Sequence, residues 1–146
     1  MLIFFCVLCA LACKKTLKLF LHIELTKWQD VGYEKPLLTY ASSLSGDLIG
    51  AEMDNQSDAS IAELVIRLCD QMQSIFVFIQ AQPQEPLGAT LKVLNHLLRT
   101  KNKIYAVAFT GSNEQAERLL NTLQEKFSKE DSPDKIKDRI KEFASA

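Results

Sequence analysis

The sequence predicts a three-layer α/β domain: a doubly wound parallel sheet of about four strands with helices on both faces. Three observations carry that expectation. Short apolar runs alternate with helical stripes from Lys14 to the end of the chain. Two of the runs, Ile75–Ile79 and Ile104–Phe109, are apolar throughout, as strands buried on both faces must be. The chain of 146 residues, 47% hydrophobic and 24% charged, is of a size for one domain around one sheet. Only 5 Gly and 4 Pro exclude collagen-like and disordered classes. Seventeen basic residues against 18 acidic ones leave a net charge of −1, which removes the electrostatic case for wrapping nucleic acid.

Residues 1–13, MLIFFCVLCALAC, carry no charge and run into Lys14 and Lys15. They fall short of the ~20 residues that a helix needs to span a bilayer, and they lack the positive start of a secretory signal. Three readings stay open: a shortened lipoprotein-like signal ending at Cys13, an extra strand or helix of the fold, or a product of start-site choice. Cytoplasmic residence is expected, with a lipid anchor through Cys13 as the alternative, and a membrane enters only in that case. The remaining cysteine, Cys69, reads as a buried thiol on a helix.

Residues 14–146 then read as a single α/β domain. Leu17–Glu24 is a strand candidate. Pro36 suits the first position of a helix bearing Leu37, Leu38, Tyr40, Ala41 and Leu44, and Gly46 closes it. Asp47–Met53 is a weaker strand. Ser60 and Glu63 form a capping box in front of Ile61, Leu64, Val65, Leu68, Cys69 and Met72 at helical spacing. The apolar strand 75–79 follows, then a loop punctuated by Pro83 and Pro86. Leu87, Leu91, Leu94, Leu97 and Leu98 mark a helix whose basic end suits its dipole. After strand 104–109, residues Thr110–Asn113 turn into a helix carrying Ala116, Leu119, Leu120, Leu123 and Phe127. Ser132-Pro133 opens the last helix, with Ile136, Ile140 and Phe143 on one face. Right-handed crossovers place the strands in flavodoxin-like order 2-1-3-4, within a Rossmann-like layering.

In such a sheet ligands bind beyond the carboxyl ends of the strands. Those ends bring forward His22 and Glu24, then Glu52 and Asp54, then Gln80 and Gln82, then Gly111, Ser112 and Asn113. His22 and Glu24 share one strand face and suit a proton-transferring pair, or a structural hydrogen-bonding role. Gly111–Asn113 between a buried strand and a helix start would offer backbone N–H groups to an anion; an ordinary turn with Ser112 or Asn113 as N-cap accounts for it as well. Glu52, Asp54 and Asp58 carry oxygens for a hard cation, but the alternating spacing of a calcium loop is missing and no metal site is expected. Trp28, Tyr33 and Tyr40 are expected to cap the core, and His96 to lie at a polar helix edge. No phosphate loop, dinucleotide fingerprint or nucleophile elbow occurs, so no cofactor is implied.

Helix 58–73, running into Ile75–Ile79 and a proline-containing loop, resembles TIR domains and nucleoside deoxyribosyltransferase-like proteins in its layout. That resemblance implies chemistry on a nucleotide or nucleoside through a helix-borne carboxylate, and it carries over to Glu63 alone. Two functions follow as expectations. The first is a regulatory or ligand- or partner-binding module, taking a small anionic or nucleotide-like ligand or a protein. The alternative is a small enzyme of nucleotide or nucleoside metabolism using His22, Glu24 or Glu63. A concave pocket with converging ionisable groups favours a small-molecule site, and a flat apolar patch favours docking.

Overall fold

A computed structural model describes residues 17–44 and 46–146. The apolar segment 1–13, with Cys13, lies outside the described residues. Five strands form one sheet: β1 (Lys18–Leu25), β2 (Leu48–Asp54), β3 (Ser74–Ala81), β4 (Ile104–Gly111) and β5 (Phe127–Lys129). All neighbours are parallel, in the order β2-β1-β3-β4-β5. The helices are α1 (Pro36–Leu44), α2 (Ala59–Gln71), α3 (Thr90–Arg99), α4 (Glu114–Leu120) and α5 (Pro133–Ser145). The three-layer doubly wound architecture is therefore present, with five strands rather than four.

The period-2 alternation of the strands divides the interior into two cores. Odd-numbered residues of β1 and β3, such as Leu21, Ile23, Val77 and Ile79, pack with Val65, Val93, Leu94 and Leu120 beneath α2, α3 and α4. Even-numbered ones, Phe20, Phe76 and Phe78, pack with Leu37, Ala41, Ile136, Ile140 and Phe143 beneath α1 and α5. Phe76, Phe78, Val107 and Phe109 are all buried, as apolar runs in central strands require. No helix among the described residues is long and apolar enough to cross a membrane.

Four expectations are corrected. Leu123 and Phe127 do not continue a helix: α4 ends at Leu120, Gln124 adopts a left-handed φ of 56°, and Phe127 opens the fifth strand. The N-cap of α2 is Asp58, which accepts the Ile61 N–H at 3.1 Å, so Ser60 and Glu63 form no capping box. Leu91 faces outward, and the buried stripe of α3 is Thr90, Val93, Leu94 and Leu97. Trp28 and Tyr33 do not cap the core but are 73% and 101% exposed.

Candidate functional site

A cleft of about 440 Å³ opens at the carboxyl ends of the strands, on the α1/α5 side of the sheet. Strand register explains how it forms. Glu52, His22, Phe78 and Ala108 occupy one row across β2, β1, β3 and β4, and Asp54, Glu24, Gln80 and Thr110 the next. Of these, His22, Glu24, Phe78, Gln80 and Thr110 border the cleft. Leu37 from α1 and Ile136 from α5 complete its apolar floor with Phe78. Asp30, Gly32 and Glu34 from the loop after β1 form one wall, and Asp131, Pro133 and Lys137 at the start of α5 form the other. The cleft straddles β1 and β3, where the strand order reverses direction.

His22 is 3% exposed, and neither ring nitrogen has a hydrogen-bond partner among the described residues. Its ring lies 5.0 Å from that of Phe78. Burial drives its pKa down to about 4; the Glu24 charge opposes the shift, Lys35 assists it, and a weak hydrogen-bonding approach of the Gln80 side chain, beyond ordinary hydrogen-bond length, opposes it. At neutral pH the imidazole is uncharged, with one nitrogen a donor and the other an acceptor. Glu24 Oε1 stands 4.0 Å from His22 Nε2, beyond hydrogen-bond length.

Glu24 is itself buried, and its partner is Lys35, whose Nζ lies 2.5 Å from Oε1. The same ammonium reaches Glu52 at 3.4 Å and donates to the Gly32 carbonyl at 2.9 Å. Burial alone would lower the Lys35 pKa, but the Glu24 hydrogen bond and charge, followed by Glu52, outweigh it and hold it above 10.5. Lys35 therefore ties the ends of β1 and β2 to the loop that walls the cleft.

The structure brings His22, Glu24 and Glu52 together around Lys35. Asp54 turns to its own loop instead, accepting the Gln56 N–H at 2.7 Å, and Asp58 caps α2. Among the described residues no group of three or more His, Cys, Asp or Glu side chains is arranged to hold a metal. Gln82 accepts the Lys27 N–H at 3.4 Å and donates to Asp30 at 3.3 Å, which braces the cleft loop. Asn113 caps α4 through the Ala116 N–H, and its side chain donates to the carbonyls of Gln82 and Glu85. The Asn113 N–H goes to Glu117 at 3.1 Å, so a carboxylate of the chain itself stands against the backbone beside Ser112. The Lys129 hydrogen bond, opposed by burial and joined by that of Asn113, holds the Glu117 carboxyl below the usual carboxylate range.

Gly111 has φ 84°, and a Cβ there would meet the Ala81 carbonyl oxygen at 2.1 Å, so the glycine serves the packing of β4 against β3. Glu63 lies on α2, over the opposite face of the sheet from the cleft, and pairs with Lys92. His96 pairs with Asp70 at 2.7 Å. Burial, then the Asp70 charge, pushes the Cys69 thiol up to about 12, which leaves it inert. Lys35, Asp131 and Lys137 escaped the sequence reading, and Asp30 and Glu34 with them. The one signal for Lys35 was its place immediately before the helix-opening Pro36.

The chain matches no protein-family model, no curated protein and no solved structure.

Proposed function

We propose that this protein is a small-molecule-binding module whose site is the cleft over β1 and β3. The observation that carries the reading is His22, a buried imidazole bordering a concave cavity, neither of whose nitrogens has a partner at ordinary hydrogen-bond length among the described residues. A polar group left unsatisfied in a core costs about 1–3 kcal/mol, and Phe would fill the position without that penalty. Buried polar groups are satisfied by protein, water or ligand, and beside an open cleft a ligand can supply the partner. The volume falls within the ~300–1,000 Å³ of ligand pockets, and a few polar groups over an apolar floor is the usual composition of such a site. Binding is favoured over catalysis because Glu24 is engaged by Lys35, while an imidazole titrating near pH 4 is a weak base at neutral pH.

The test is magnetic resonance of protein labelled at histidine and backbone nitrogen, titrated with nucleosides, nucleotides, phosphate, amino acids and small amines. Movement of the His22 ring together with the amides of 22–24, 78–80 and 110 is expected for at least one class. Responses confined to α2 and α3, or identical in His22→Phe protein, would remove the cleft as the site.

A further inference from the structure

We infer that the cleft takes a small organic cation, a primary ammonium on an apolar or aromatic body; this rests on reading the cleft as the binding site. Two independent features point there. The first is charge. Glu24, Asp30, Glu34 and Asp131 border the cleft, and Glu52 joins them through Lys35; against these five carboxylates stand two ammonium groups, Lys35 and Lys137. Lys35 is already engaged by two of the acids, and Lys137 lies 5.5 Å from the centre of the Tyr40 ring. Asp30 and Glu34 come from the loop after β1 and Asp131 from the segment before α5, so acids flank the opening from both sides. All three are exposed at the rim. A concavity of one charge sign focuses the field along its axis and concentrates ions of the opposite sign. An anion would meet the same field as repulsion.

The second feature is the interior. Phe78, Leu37 and Ile136 offer an apolar floor between the acidic walls, with His22 at its edge. A neutral imidazole offers one acceptor and one donor nitrogen, so it can accept the N–H of an ammonium that the rim carboxylates attract, and the choice of charge lies with the rim. The floor takes the body, the rim carboxylates take the charge, and His22 lies where the two regions meet. Phosphate or a nucleotide carries the charge that this acidic rim repels.

Three probes sharing one body separate the contributions: benzylamine (protonated at neutral pH), benzyl alcohol and benzoate. Each is titrated into the full chain at pH 7 and low salt while the His22 ring signals are followed. Benzylammonium is expected to move them with a dissociation constant about tenfold below that of benzyl alcohol, and benzoate to leave them unmoved. Glu34→Gln combined with Asp131→Asn, both at exposed positions, should remove that tenfold advantage with the circular dichroism unchanged. Equal or tighter binding of benzoate or benzyl alcohol overturns the cation inference, while the His22 response keeps the cleft as the site. Silence at His22 with all three probes also overturns it, and the cleft itself falls only if the wider panel of nucleosides, nucleotides and amino acids is silent as well. An unchanged benzylammonium affinity in the double variant overturns the assignment of the charge to the rim.

Discussion

His22 couples stability to pH at a single position. Its depressed pKa means that the unfolded chain binds a proton more readily between pH 6.5 and about 4. Stability from this group is complete above pH 6.5 and is lost as pH falls towards 4, a change on the order of 3 kcal/mol. Urea denaturation at pH 7 and pH 4.5 measures it. In His22→Phe this component should vanish, and stability at pH 7 should rise by about 1–2 kcal/mol as the unsatisfied nitrogens are removed. Lys35 acts in the opposite direction. Lys35→Met strands the Glu24 carboxylate, which is only 8% exposed, and should cost about 2 kcal/mol, discounted because the pair borders an open cleft. Glu24→Met in the same chain should recover much of that loss. The Lys35 contribution is present below pH 10.5 and disappears as pH rises through its raised value. A denaturation series extended to pH 11.5 follows it.

Among the elements, α2 offers the clearest test of a local signal. Asp58 accepts the Ile61 N–H, and Ser60 in turn donates to Asp58, so Asp58→Ala should cost about 1 kcal/mol. Glu63→Ala removes only a half-exposed pair with Lys92 and should change thermal stability by a few tenths of a kcal/mol, roughly nothing. A Ser60–Glu63 capping box would instead have made Glu63→Ala as costly as the loss of a cap. The strands β3 and β4 were readable because burial on both faces leaves no place for polar residues. The edge strand β5 was not. Its three residues Phe127-Ser128-Lys129 are too short and too polar to stand out, and Phe127 continues the spacing of Leu119, Leu120 and Leu123. The break lies at Gln124, where neither Gly nor Pro signals the left-handed turn. The site divides in the same way. His22 and Glu24 were legible from strand alternation alone, whereas Asp131 and Lys137 reach the cleft only because α5 returns to the face of α1.

At the scale of the molecule, one sheet is shared by two cores, so neither helical layer holds its packing without the other. Phe76 contacts Phe20 and Phe143 in one core, with ring centres 5.8 Å away in each case, while its neighbours Ile75 and Val77 face the other. Phe76→Ala should cost about 3–5 kcal/mol. It should lower one transition seen alike by secondary-structure and aromatic circular dichroism. Two separated transitions would mean that the layers melt independently.

The exposed aromatic of the cleft loop bears on how this protein can be observed. Trp28 is the chain's single tryptophan, and with 73% of its surface in water its indole already emits as a hydrated fluorophore in the native state. Unfolding would add little to that hydration, so its emission colour is a poor gauge of whether the fold is intact. Trp28 does not line the cleft itself, but Asp30, Gly32 and Glu34 of the same loop do, so under the proposed function an occupant would touch the segment that carries the indole. If the proposed site is right, any change of Trp28 emission on adding a ligand would report occupancy apart from unfolding, and the two equilibria could be recorded separately in one cuvette.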